Sequence, residues 1–516
     1  MTKGKELAEA QEQRKPKRAL GLFDSTMVVI GVMIGSGIFI VPADMARLLG
    51  GPGWFLAAWV FAAVLTIAAA FSFGELASMM PGAGGMYLYL SEAYSPLWGF
   101  LYGWTLFTVI QTGTIAAVAV AFARFLGVLV PAISESHYLI TPIHLSTHYA
   151  LTLSTAQLVA LLVIALLTAT NTLGIEYGKT IQNGFTVAKL GAMAALILLG
   201  LTIGWNGTAV HANLANFWQR PATGATSPMG AVLGLLMVFC VSQSGSLFAA
   251  DAWHDITFAS EEVKDPRTTL PRALAIGVVL VMFIYLAANV AYLVVLNFSA
   301  IQHAPHDRVA TAMLQQIFPA WGGPALAVLI MVSTFGCINS LVLAGPRAYY
   351  AMARDKLFAP AAARLNRARV PGWSLAMQGV WAGVLVLLTT YSPAKGYGNL
   401  YSDLLDYIIS AALLFYILTI AAVVVLRYKR PDAERLFRTP GYPLVPAIYV
   451  LGAGTVVLSL FIDRPATTWP GLALVITGLP VYWLIRRGNN GKAVRALEQE
   501  AGPSTTLRSG RDDKFV

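Results

Sequence analysis

A chain of 516 residues in which 57% are hydrophobic and only 12% are charged carries too little charge for the surface of a soluble globule of that length. With a mean hydropathy of +0.65 it reads as a polytopic, all-α membrane protein. The net charge of +10 follows topology rather than a nucleic-acid partner, and the two cysteines, Cys240 and Cys337, lie in apolar segments, which excludes a disulfide framework and a cysteine-based metal site.

The first stretch, "MTKGKELAEAQEQRKPKRAL", is polar and has neither an apolar core nor a small-residue cleavage site. Residues 1–22 are read as a cytoplasmic tail. Apolar runs long enough to span a bilayer follow near 24–48, 54–77, 96–130, 153–173, 180–204, 229–264, 272–296, 323–352, 373–391, 403–426, 445–461 and 468–485. Residues 486–516 form a second tail, expected to be flexible. About twelve spans place both tails on one side. Of the 35 Lys and Arg, only Arg47, Arg124, Arg220, Arg308, Lys395 and Arg464 fall on the opposite side, and Lys189 lies within the fifth span. This bias predicts cytoplasmic termini in a plasma (inner) membrane, with lipid as the surrounding partner.

Two spans are irregular. The first carries "GVMIGSGIFI" at its centre, with Gly31, Gly35, Ser36 and Gly37 crowded together between Asp24 and Asp44. Glycine weakens a helix by about 1 kcal/mol relative to alanine. The sixth, "MGAVLGLLMVFCVSQSGSLFAADAWHDITFASEEV", is too long for one simple span and changes character at "FAADAWHD", 248–255. Interrupted spans five apart predict an inverted five-plus-five repeat, 23–204 and 229–426, followed by two further helices within 445–485. Such paired breaks point to a transporter's binding site. Half-helix N-termini suit a carboxylate and freed carbonyls suit an ammonium, the two groups of an α-amino acid. Gly31 and Gly35 also form a GxxxG, whose simpler reading is close helix packing. No cofactor is implied.

These residues resemble the L-type amino acid transporter family of the amino acid–polyamine–organocation superfamily over roughly 20–480. The resemblance rests on the joint order of "IGVMIGSGIF", "PGAGGMYLYLSEAYSPLWGFLYGW" (81–104), "IQNGFTVAKLGA" (181–192), "FAADAWHDITFASEEVKDPRTTLPRAL" (248–274) and "STFGCINSLVLAGPRAYYAMARD" (333–355). It implies a LeuT-like fold and a sodium-independent amino acid permease or exchanger for α-amino acids, neutral ones first. Gly35, Ser36 and Gly37 would donate backbone N–H groups to the substrate carboxylate. Carbonyls near Met33, Ile34, Phe248 and Ala249 would take the ammonium, Phe248 would gate the site, and Trp253 joins the substrate-binding set. Lys189 would replace the sodium ion of coupled relatives of this fold by reaching the unwound first span, and Tyr285 would cooperate with it. A lysine at mid-membrane otherwise costs about 2.5–3.5 kcal/mol on insertion scales. The alternatives are a snorkelling lysine and an ordinary packed tyrosine.

Where the family often has "FAYxGW", this chain has Ala250, Asp251 and Ala252. Asp251 reads either as an attractor of the substrate ammonium or a cationic side chain, or as a cap for the half-helix beginning near Trp253. His254 reads as polar packing. Asn339 is possible pocket lining, though small polar residues such as Asn339 and Ser340 also serve as helix–helix glue. Asp403 and Asp406 suit the N-terminus of the tenth span. His144 and His148 have i, i+4 spacing but no third ligand nearby, so no metal site is expected. Residues 131–152 hold no cysteine, which excludes there the disulfide by which some family members attach an accessory glycoprotein. Competing readings are a proton-coupled or cationic amino acid carrier and a transporter-like amino acid sensor. An intramembrane enzyme finds no zinc-ligand pair or Ser–His arrangement within the spans.

Overall fold

In a computed structural model the described residues are 18–500 apart from 83, 174–177, 221–227, 369 and 393–395; both predicted tails therefore lie largely outside them. The first span is two helices, α1 (Leu22–Met33) and α2 (Gly37–Leu49), bent by 43°. Next come α3 (Pro52–Met79), a short α4 (Met86–Ala93) and the third span, α5 (Pro96–Leu129). A π-helical turn, Leu106–Ile110, lies within α5. A hairpin, β1 (Tyr138–His144) and β2 (Tyr149–Ser154), leads to α6 (Thr155–Thr172), α7 (Gly178–Leu201) and a short α8 (Gly207–Ala215). The sixth span is α9 (Pro228–Ala249), a three-residue break and a 3-10 segment, Trp253–Glu262. Beyond it lie α10 (Pro266–Val295), two short helices (Phe298–Gln302 and Val309–Ile317), α11 (Gly322–Arg354), α12 (Gly372–Leu387), β3 (Leu388–Ser392), β4 (Gly396–Tyr397), α13 (Leu400–Lys429), α14 (Leu444–Asp463) and α15 (Pro465–Glu500). Among the described residues ten helices are long and apolar enough to cross a membrane, and the bent pair α1–α2 adds another span.

Three expectations need correction. The ninth predicted span, 373–391, is helical only to Leu387. "LTTYS" turns extended instead, because β-branched threonines fit a pleated strand and β2 offers a partner: Tyr149–Leu151 pair with Leu388–Thr390. The strands order β1-β2-β3-β4 in one antiparallel sheet that ties the 131–152 loop to the end of α12. The second tail is not structureless from 486 onward, since α15 runs to Glu500. The seventh span starts at Pro266 rather than 272; Pro266 at its first position lacks the N–H that a helix start leaves unpaired.

Packing places the broken spans at the centre. α1 lies against α7 and α10, α2 against α9, and α11 against α5. The segment before α1 is stitched to the end of the sixth span: Leu20 bridges Val263, the amides of Ala19 and Leu20 donate to the Glu262 carbonyl, and Lys264 donates back to Leu20. These bonds join the start of span one to the end of span six.

The glycines of the first span serve close approach, not unusual backbone angles; none is among the positive-φ residues. A Cβ on Gly31 would collide with the Thr186 hydroxyl of α7, and one on Gly37 would sit 2.6 Å from the Ala249 Cβ. The GxxxG packing reading and the broken-helix reading therefore both hold. Gly37→Ala is expected to lower stability by about 1–3 kcal/mol through overpacking, measured as a lower melting temperature in detergent. Adding Ala249→Gly should return part of the loss.

Candidate functional site

A helix leaves its last four carbonyls without intrahelical partners, and at membrane depth water cannot supply them. At the end of α1 side chains do so in succession. Lys189 Nζ donates to the Gly31 carbonyl at 2.7 Å, Cys337 Sγ to Val32 at 3.3 Å, Tyr285 Oη to Met33 at 2.8 Å and Ser333 Oγ to Ile34 at 3.3 Å. These donors come from α7, α10 and α11. Lys189, Tyr285 and Cys337 are buried. Sequence reasoning identified Lys189 and Tyr285; Ser333 and Cys337 were missed because a Ser and a Cys in an apolar helix look like packing.

Tyr285 also joins the two breaks. Its hydroxyl lies 3.1 Å from the Ala249 carbonyl, the last residue of α9. The contact of Gly37 with Ala249 brings the start of α2 beside that same residue. The four predicted backbone segments, Met33–Ile34, Gly35–Gly37, Phe248–Ala249 and Asp251–Trp253, therefore converge. α2 begins with Ser36 at its N-cap position and no side-chain cap, so its first N–H groups face the break with partial positive charge. The 3-10 segment likewise begins uncapped, with Ala252 in the left-handed region (φ 65°).

On the outer side the Ser36 hydroxyl meets Tyr401 Oη at 2.9 Å, and the guanidinium of buried Arg124 sits 5.2 Å over the Tyr401 ring. Arg124 pairs with Glu135 and donates to Asn399; Asn399 donates to Asp307, which pairs with Arg47 at 2.7 Å. A cavity of only about 10 Å³ remains between Val41, Asp44, Ser244 and Tyr401, room for about one water. Phe248 stands edge-on to Tyr401 at 6.0 Å, where a gate over the breaks would have to be.

Other predicted residues land elsewhere. The Asp251 carboxylate accepts from Tyr416 Oη of α13 and from the backbone N–H of Ala252 at the start of the 3-10 segment. Trp253 packs edge-to-face on Phe73, with ring centroids 4.7 Å apart. His254 packs as a polar residue, with its ring nitrogens facing Tyr416 and Tyr102. Asn339 is turned away from the breaks; its oxygen accepts from Asn171 of α6 at 2.8 Å, which is helix–helix glue. Ser340 similarly donates to Gln182 of α7. Asp403 accepts from Thr390, and Asp406 pairs with Arg464 at 2.7 Å. His144 lies parallel to Tyr397 at 6.0 Å.

The family model described as amino acid permease matches residues 20–484. The serine/threonine exchanger SteT of Bacillus subtilis is 28% identical, covering 91% of this chain and 97% of its own. The human large neutral amino acids transporter small subunit 2 is 29% identical over 91% of this chain and 80% of its own. The human b(0,+)-type amino acid transporter 1 is 27% identical over 94% and 92%.

Tyr285→Phe removes the single hydroxyl proton shared between the Met33 and Ala249 carbonyls. A loss of about 1–3 kcal/mol in stability is expected, read as a reduced denaturation midpoint, with the Trp59 ring contact to residue 285 retained.

Proposed function

The chain belongs to the amino acid permease family, and from that premise we propose that it is a sodium-independent exchanger of α-amino acids, neutral ones first, in a plasma membrane with both termini cytoplasmic. The observation that carries this reading is the convergence of two uncapped helix starts and two carbonyl-rich helix ends on Tyr285 and Gly37. An α-amino acid matches that pair of opposite poles. Its carboxylate takes the N–H groups of Gly35, Ser36 and Gly37. Its ammonium takes the carbonyls of Met33, Ile34, Phe248 and Ala249; the Met33 carbonyl, which accepts from both Tyr285 Oη and the Gly35 amide, gains a lone pair when the Gly35 N–H turns to the carboxylate. Phe248 closes over the side chain, and Trp253 braces the inner edge of the break.

Lys189 is the coupling residue in this reading. Its ammonium stands at the Gly31 carbonyl, where a cation neutralises the negative end of α1. Tyr285 carries the same support to the break itself. With a cation supplied by the chain itself, no sodium ion is needed. The serine/threonine exchanger and the large neutral and b(0,+)-type transporters among its relatives support an amino acid substrate and exchange.

The architecture proposed is twelve spans, counting α1–α2 and the shorter α12, with a LeuT-like inverted repeat of 23–204 and 229–426 and two added helices, α14 and α15. The stitched unit of α1 and the 3-10 segment rocks against a scaffold of α5, α6, α11 and α12. Substrate completes the hydrogen bonds of both half-helices and lowers the occluded state, so that the empty carrier crosses poorly. The human relative's name marks it as a small subunit. In this chain Cys240 and Cys337 are buried and 131–152 holds no cysteine, so an accessory chain would be held there without a disulfide.

The test is uptake of a labelled L-amino acid mixture into proteoliposomes at equal pH on both sides. Uptake should need unlabelled amino acid inside and be unchanged when sodium is replaced by choline. Lys189→Ala should reduce exchange about tenfold or more, since an unpaired buried carbonyl costs about 1–3 kcal/mol. Sodium-dependent uptake, or full exchange by Lys189→Ala, would overturn the assignment.

A further inference from the structure

The backbone of the sixth-span break serves the substrate, and its polar side chains are left over. They form a directed chain. Tyr416 Oη contacts Asp251 Oδ1 and lies 3.0 Å from His254 Nδ1. An ionised carboxylate can only accept, so the single Tyr416 proton goes to Asp251 and Tyr416 must accept from Nδ1–H. That assigns the neutral tautomer of His254. Its bare Nε2 then accepts from Tyr102 Oη, 3.3 Å away. Every donor points the same way: Tyr102 to His254, His254 to Tyr416, Tyr416 to Asp251.

Such a chain moves a proton without moving a heavy atom. A proton arriving at Tyr102 Oη lets the Tyr102 proton pass to Nε2. The Nδ1 proton passes to Tyr416 and the Tyr416 proton to Asp251. One proton has entered, Asp251 is neutral, and each hydrogen bond runs in reverse. All four groups are more than nine-tenths buried, in an interface where α5, α13 and the sixth span meet.

The electrostatics need such a proton. Asp255 is a second buried carboxyl, with His254 Nε2 3.7 Å away and its Oδ2 without a hydrogen-bond partner. The groups facing this pair are Tyr102 and Gln111 from α5, Cys337 and Tyr349 from α11, Tyr416 from α13, Tyr449 from α14, and His254. Among the described residues no lysine or arginine is within ion-pair distance of either carboxyl. Tyr349 Oη and Gln378 Oε1, which crowd around Gly345 nearby, are buried without hydrogen-bond partners too. Two unpaired charges of one sign are costly in such surroundings.

We propose that Asp251, fed through Tyr416, His254 and Tyr102, is a proton-binding site whose proton exchanges for the substrate's ammonium, so that an outgoing proton can replace the outgoing amino acid. This rests on the exchanger reading above. Asp251 is the acidic residue of the break, two positions from Ala249. Ionised, it attracts the ammonium bound at the Ala249 carbonyl; protonated, it releases it.

The test uses the full chain in proteoliposomes with no amino acid inside, in sodium-free buffer, with a labelled mixture of L-serine, L-leucine and L-arginine outside and a pH dye trapped within. An acid interior should drive uptake that equal pH does not, up to about tenfold accumulation per pH unit for one-for-one exchange, with the interior turning alkaline. Tyr416→Phe keeps the ring packed on Phe73 and should abolish the gradient-driven uptake; His254→Asn, which offers no proton shuttle, should do the same. Wild-type counterflow that ignores the gradient, uptake driven by an acid exterior instead, or full gradient-driven uptake in both variants would overturn the proton site and leave the exchanger reading standing. No uptake with or without internal amino acid would overturn both.

Discussion

Four consecutive carbonyls, those of Gly31, Val32, Met33 and Ile34, end a helix in the middle of an apolar layer and have no water to turn to. Lys189, Cys337, Tyr285 and Ser333 satisfy them one by one from three different helices. The interruption is affordable only because α7, α10 and α11 are held close enough to supply those donors. Small residues allow the approach: Gly31 lies against Thr186 and Gly37 against Ala249. Packing and polarity are one design here. A side chain at either glycine would push away a neighbour that the break requires.

From that constraint the rest of the site follows. A break in the first span exposes the start of α2, and its contact with Ala249 aligns it with the break in the sixth. Tyr285 links both ends with one hydroxyl. The outer face is then sealed by groups that reach the same place from outside, Tyr401 on Ser36 and Arg124 over Tyr401. At the other end, the pairing of Leu20 with Val263 joins the start of the first span to the end of the sixth.

The polar chain from Tyr102 to Asp251 belongs to a different layer of the same machine. It crosses from α5 and α13 to the sixth span. A change of charge at Asp251 acts on the contact between the rocking unit and its scaffold as well as on the ammonium. Glu75, by contrast, is equally buried but held by Arg427, Arg435 and the Thr439 amide; it fastens α3 to the end of α13 and the loop beyond. Whether a buried carboxyl has a cation beside it separates an anchor from a titrating group.

Much of this was legible in the sequence because it depends on local rules. Apolar run length gives the spans, a glycine cluster gives the break, and a lysine in an apolar helix stands out by its cost. Those features single out Met33–Gly37, Phe248–Ala249 and Lys189, and the family resemblance adds Tyr285. What only the tertiary structure decided are the partners. Asp251 could cap a helix or face a ligand by sequence; it faces Tyr416, which is 165 residues away. Asn339 could line a pocket; it pairs with Asn171. Leu388–Ser392 continued an apolar run, but β2 beside it offered a ladder that the helix could not match. In each case the choice lies in which side chain or strand arrives opposite, and distance along the chain holds no record of that.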